Sequence, residues 1–392
     1  MLDLAPEIAA PQAGGDPARL GPIAEAFHRG VLLRLRRRAG KDYDAGGDLF
    51  AFDATGAGTR CWQPETGAVL RALQDEAAPE ALLHAALACA ALGAEGEIQV
   101  ELPAATRFSL AGQVFSAAGR VSLTVSGGEA VVASALGTIR LTRSGTRWTA
   151  HQAPDPALAW IAPGYFDHPR LSDRYIQAWV EPIAPGREDF IVDWPPPDYR
   201  NAALVDGAAS QIGRALRQLS EIGPDYVDWI APLFRGVAAS PQKLPGVMQS
   251  GSYTWHAGVF SCGFPRSDAY LGEVMVHEIS HQHFLLWNCV SPLVDKTTAQ
   301  DAFSALKGRP RPLERVLLAF HATANMTLFW HDYVARFGGG EERDAAFAMM
   351  REHSADFVQE LESAKGLTPA GRRLFEIQRD LLRERALCPQ PA

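Results

Sequence analysis

The chain has 392 residues, 47% hydrophobic and 21% charged, which gives a folded protein room for two domains or one large elaborated one. A formal net charge of −8 argues against a nucleic-acid binder, which would carry a basic face. The five cysteines (Cys61, Cys89, Cys262, Cys289, Cys388) are scattered, odd in number and contain no C-x-x-C, which suits reduced thiols better than a disulfide framework.

The first residues, Met1-Leu2-Asp3-Leu4-Ala5-Pro6-Glu7, lack the basic start and apolar core of a signal peptide, so the expectation is a cytoplasmic protein. Pro17 to Arg38 reads as an amphipathic helix ending in Arg34, Arg36, Arg37 and Arg38. That end suits an acidic partner, but basic residues near a helix C-terminus are the plainer reading and the one favoured. Thr66 to Leu92 is a second helical stretch with a break expected near Pro79. Within it, the apolar run Ala81–Ala94 is too short to span a bilayer and reads as a buried helix.

From Glu97 to Thr149 the period changes to two. Ile98, Val100 and Leu102 alternate with polar residues, as do Val121, Leu123 and Val125, and then Ile139 and Leu141. Gly127-Gly128 and Ser144-Gly145 punctuate the run, so antiparallel hairpins are predicted. Pro182 to Pro197 should be extended or linker-like. Asn201 to Phe234 reads as helix with a break at Gly223-Pro224, and Ser250 to Pro265 as loop or strand. A helix capped at Asp268 follows, with Leu271, Val274, Met275, Ile279 and Leu286 as its apolar stripe. Further helices are predicted over Pro312–Phe337, stopped by Gly338-Gly339-Gly340, and then over Glu341–Lys365 and Pro369–Leu387. The expected class is α+β: a helical and antiparallel-sheet region over residues 1–180, serving as peptide-binding region or scaffold, then a mostly helical metal domain over 181–392.

The chemistry lies in His277-Glu278-Ile279-Ser280-His281. Histidines four apart stand on one helix face and can reach a single ion, with Glu278 on the flank within reach of a water at that ion. The bland alternative is a pair of core histidines satisfied by hydrogen bonds. Two imidazoles rarely hold a catalytic ion alone. Trp287 occupies the position where an extended H-E-x-x-H-x-x-G-x-x-H motif would place a third ligand, so another element must supply it. His321, inside the apolar stretch Val316–Ala322, is the leading candidate, against a hydrogen-bonded core histidine. Asp295, Asp332 and Glu314 are weaker ones. Glu273, one turn before His277, suits a supporting hydrogen bond. His283 falls on the wrong side of the helix, and His256 reads as a surface or turn histidine. Arg309, Arg311 and Arg315 cluster ahead of His321, where a guanidinium at a pocket mouth would grip a carboxylate.

The residues leave two chemistries open. In a zinc peptidase the histidines hold Zn²⁺ and Glu278 takes a proton from the water that attacks a peptide carbonyl. In an iron(II) oxygenase the ion keeps positions for a 2-oxo acid and O₂. Val276-His277-Glu278-Ile279-Ser280-His281, then Arg311-Pro312-Leu313 and Phe329-Trp330, resembles the bacterial H-E-x-x-H peptide-modification family, over roughly Gly251 to Trp330. That resemblance implies a zincin-like metal domain and Fe(II)- and 2-oxoglutarate-dependent β-hydroxylation of a residue in a ribosomally synthesised precursor peptide. It implies His277 and His281 as metal ligands and Arg311 as the cosubstrate anchor. His321 as third ligand rests on its position alone. The partner expected is the precursor peptide, with neither nucleic acid nor membrane. A non-catalytic peptide-binding module is the remaining alternative.

Overall fold

A computed structural model of the chain describes residues 4–44, 46–150, 163–166, 171, 173–178, 202–241 and 250–388. The proline-rich segment 182–197 lies outside them. In chain order the elements begin with α1 (Ala5–Ala9), α2 (Gly21–Ala39), α3 (Lys41–Asp44), α4 (Gly47–Ala51), α5 (Pro64–Gln74) and α6 (Ala78–Leu92). Seven strands follow: β1 (Gly96–Leu110), β2 (Gln113–Ser126), β3 (Glu129–Ser134), β4 (Gly137–Ser144), β5 (Arg147–Ala150), β6 (Gly164–Tyr165) and β7 (Tyr175–Ala178). Next come α7 (Ala202–Ile222), α8 (Pro224–Ile230), β8 (Gly236–Pro241), β9 (Ser250–Ser252) and β10 (Val259–Phe264). The last are α9 (Asp268–Val290), β11 (Ala302–Ser304), β12 (Arg309–Arg311), α10 (Leu313–Phe337), α11 (Glu341–Glu362) and α12 (Pro369–Glu384). The class is mixed, with an antiparallel sheet in the N-terminal part and helices in the C-terminal part.

Two compact units share these elements. Where the sequence suggests one boundary near residue 180, each unit is assembled from separated stretches. One joins Met1–Ile23, Arg214–Leu233 and Ser267–Ala392; the other joins Ala24–Gly213 and Phe234–Arg266.

The second unit carries both large sheets. β1 to β5 form an antiparallel meander in sequence order. Ile98, Leu102, Val121, Leu123, Val132, Ile139 and Leu141 are buried on one face, as their alternation with polar residues requires. Gly127 and Gly128 make the β2–β3 turn with φ of 59° and 77°, a conformation that disfavours side-chain-bearing residues. The register of β1 on β2 shifts between Leu102 and Thr106. α6 packs on β1 and is buried almost all round, from Ala81 to Leu92. Its separation from α5 falls at Asp75–Ala77, just before Pro79, where Glu76 takes φ of 58°.

The other sheet has the order β6-β7-β8-β10-β9. β7, β8 and β10 run parallel, and β6 and β9 are antiparallel edges. β9 and β10 fall inside the stretch read as loop or strand, while β8 is not read from the sequence, for a physical reason. Every residue of β10, and all of β8 but its last, is buried, so neither strand alternates apolar with polar residues.

Among its described residues the first unit is mainly helical, with the β11–β12 hairpin and an isolated bridge between Val294 and Leu367. α9 starts one residue earlier than expected. Ser267 is its N-cap, accepting from the Tyr270 amide at 3.4 Å, while Asp268 pairs with Arg214 at 2.9 Å. The stripe Leu271, Val274, Met275, Ile279 and Leu286 is fully buried. Burying each such side chain is worth about 1.5–3 kcal/mol. α10 runs from just after Pro312 to Gly338, close to the predicted span. The five cysteines are all free thiols. No helix among the described residues is long and apolar enough to cross a membrane.

Candidate metal centre

α9 and α10 pack side by side and antiparallel, so paired residues have numbers of nearly constant sum. Trp330 donates its indole N–H to Glu273 Oε1 at 2.9 Å. One turn on, Met326 Sδ lies 3.3 Å from His277 Nδ1. Asn325 Nδ2 then donates to Ser280 Oγ at 3.0 Å, and the His321 ring lies 6.1 Å from that of Phe284. Gly272 lets the helices close up, since a Cβ there would stand 3.1 Å from the Phe329 ring.

This packing presents His277 and His281 to the same point. Their rings are nearly perpendicular, at 82°, and their Nε2 atoms are 3.0 Å apart. Two nitrogens bound to one ion at about 2.0–2.1 Å, subtending about 90–109°, would be separated by about 2.9–3.4 Å. The observed spacing falls inside that window. Glu278 Oε1 is 3.7 Å from His277 Nε2, and one ligand atom from each of the three residues lies within 4.8 Å of the other two. The Glu278 side chain is 1% exposed and that of His277 20% exposed, so His277 keeps the site in touch with solvent. Removal from water, then the neighbouring His277, His321 and Arg315, holds His281 well below the ordinary imidazole range. A neutral ring with an available lone pair is what a metal ligand requires. The donor set therefore fits a divalent ion, with two converging imidazoles and one carboxylate beside them.

His321 is not among these ligand atoms. It is fully buried, its Nε2 donates to the Ile8 carbonyl at 3.0 Å, and burial lowers it to about 4. Through that bond His321 ties α10 to α1, while its Nδ1 is buried with no hydrogen-bond partner among the described residues. The carboxylate alternatives are also engaged elsewhere. Asp295 accepts from Thr297 and Thr298 in an exposed turn. Asp332 accepts from Tyr226, Gln12 and Arg385, and Glu314 from Asn288 and Lys296.

Glu273 supports the pair of helices by accepting from the Trp330 indole. His283 is structural, as expected: it sits 3.0 Å from the Trp229 carbonyl and stacks on that indole. His256 ends a single 3₁₀ turn, Thr254–His256, in the other unit. Arg311 ends β12, half-buried and opposite Ala302. The arginine whose charge reaches His281 is Arg315, on the first turn of α10. Met326 and Asn325 are the site neighbours that the sequence reading missed. Counting back along α10 from Trp330, opposite Glu273, would have found both.

No protein-family model matches the chain, and no curated protein matches it.

Proposed function

We propose that the chain is a metal-dependent enzyme acting on peptides, and that it hydroxylates a side-chain β-carbon in a ribosomally made precursor. The observation that carries the reading is the 3.0 Å convergence of His277 and His281 Nε2, with a carboxylate beside it. The resemblance around H-E-x-x-H and Arg-Pro-Leu supplies the finer choice of iron(II), 2-oxoglutarate and O₂. The balanced reaction converts C–H, 2-oxoglutarate and O₂ into C–OH, succinate and CO₂. Bound iron would supply the oxidising chemistry. The protein's part is to present the Nε2 atoms of His277 and His281 together, where they would hold the ion. Arg315, exposed and within electrostatic range of His281, offers a cation for the cosubstrate's carboxylate, as Arg311 does by resemblance. Glu278 orients a hydrogen-bonded partner at the ion.

A second reading, a zinc peptidase, is favoured by one observation: the Glu278 carboxylate lies 3.7 Å from His277 Nε2, on the flank where it would take a proton from an attacking water.

Glu278→Gln separates the two. A peptidase deprived of its general base should lose about 10²–10⁴ in rate. A hydroxylase should keep most of its turnover, release succinate and add one oxygen's mass to the peptide. Peptide cleavage without 2-oxoglutarate would overturn the hydroxylase reading. A binding module would give no product in either assay, and His281→Ala would leave its peptide affinity intact.

A further inference from the structure

We propose that Met326 is the positioning residue of the ion site: its thioether keeps the His277 proton on Nδ1 and so turns the Nε2 lone pair toward His281. This rests on the ion-binding reading above, and it adds an assignment for the ring protons of both histidines.

Met326 is 4% exposed, and its Sδ lies 3.3 Å from His277 Nδ1. A thioether has no proton to give, so the contact has one sense, with the ring N–H donating to sulfur. A neutral imidazole carries a single ring proton, which leaves His277 Nε2 as an acceptor. The partner's tautomer follows. Two facing lone pairs would repel at 3.0 Å, so in the ion-free chain His281 Nε2–H donates to His277 Nε2. The His281 proton is then on Nε2 and its Nδ1 is a bare acceptor. That nitrogen is buried with no hydrogen-bond partner among the described residues. A lone acceptor is tolerated more readily than a lone N–H, which agrees with this assignment.

The two ligands therefore differ in readiness. His277 already offers the nitrogen an ion needs, whereas His281 must first move its ring proton from Nε2 to Nδ1, which keeps the ring neutral and frees the Nε2 lone pair. Ligand histidines are usually oriented by a carboxylate or a backbone carbonyl. Here a softer acceptor on the facing helix does it.

The test uses the whole chain and two variants. Met326→Leu keeps the volume and removes the sulfur. Met326→Gln restores an acceptor of similar reach. Ring nitrogen chemical shifts of ¹⁵N-histidine-labelled protein, without metal and at a pH where both rings are neutral, report the tautomers directly. His277 should be Nδ1–H and His281 Nε2–H in the parent chain. The Nδ1–H preference of His277 should be lost in Met326→Leu and recovered in Met326→Gln. Cobalt(II) affinity should fall about 10-fold or more in the Leu variant and return with Gln. A parent chain with His277 protonated on Nε2, or a Leu variant unchanged in both tautomer and affinity, overturns the assignment of Met326. A parent chain with the expected tautomers that binds no cobalt instead overturns the ion reading and leaves the Met326 contact standing.

Discussion

His321 shows how the same side chain serves different ends according to what its nitrogens meet. Its Nε2–H is used by the Ile8 carbonyl, and Gln378 Nε2 bridges the Ala9 and His321 carbonyls at 2.9 and 3.0 Å. These bonds join α1, α10 and α12 around buried backbone. His321→Leu should therefore lower stability by about 1–3 kcal/mol, because a buried carbonyl loses its donor. It should leave ion stoichiometry unchanged. Urea unfolding and metal analysis of the variant check both halves. Loss of the ion with unchanged stability would make His321 a ligand after all. Sequence alone left this choice open, because a histidine among apolar residues needs a partner and nothing in the spacing says whether that partner is an ion or a carbonyl.

At the level of elements, the pairing of α9 with α10 sets the site. Gly272 eases it, since a Cβ there would stand 3.1 Å from the Phe329 ring, closer than an ordinary contact. Gly272→Ala should cost about 1–3 kcal/mol through overpacking and should weaken ion binding by displacing Met326 from His277. Calorimetric melting and cobalt titration together check it; a variant as stable as the parent would mean the ring moves aside freely. Elements with a single exposed face were legible in the sequence. β1 to β5 showed their alternation, and α10 showed its proline start and glycine stop. β8, Gly-Val-Ala-Ala-Ser-Pro, was not, and β10, Val-Phe-Ser-Cys-Gly-Phe, could be read only as loop or strand, because strands covered on both faces carry no period and parallel partners lie far apart in sequence. The histidine pair was legible because its spacing is local to one helical turn. Met326 was not, because its role depends on which turn of α10 faces His277.

Across the molecule, buried neutral histidines occur in both compact units. His28, 1% exposed and 3.0 Å from Thr66 Oγ1, is lowered by burial to about 4. His283 and His321 are likewise lowered by burial, to about 3 and about 4. Unfolded histidines take up protons near pH ~6.5, while these folded ones refuse them until about two or more units lower. Each therefore contributes stability that is present above pH ~6.5 and is lost as the pH falls toward ~4, by up to about 1.4 kcal/mol per pH unit. Urea midpoints should be flat near neutrality and drop steeply between pH ~6.5 and ~4. A flat profile across that range would mean that these rings are protonated in the folded chain.

The most direct test is an anaerobic titration of the purified chain with iron(II) or cobalt(II), read by calorimetry and by metal analysis after dialysis. One ion per chain is expected, with none retained by His277→Ala or His281→Ala. A parent chain that holds no ion, or variants that hold it equally well, would show that the two imidazoles face each other only to share a proton.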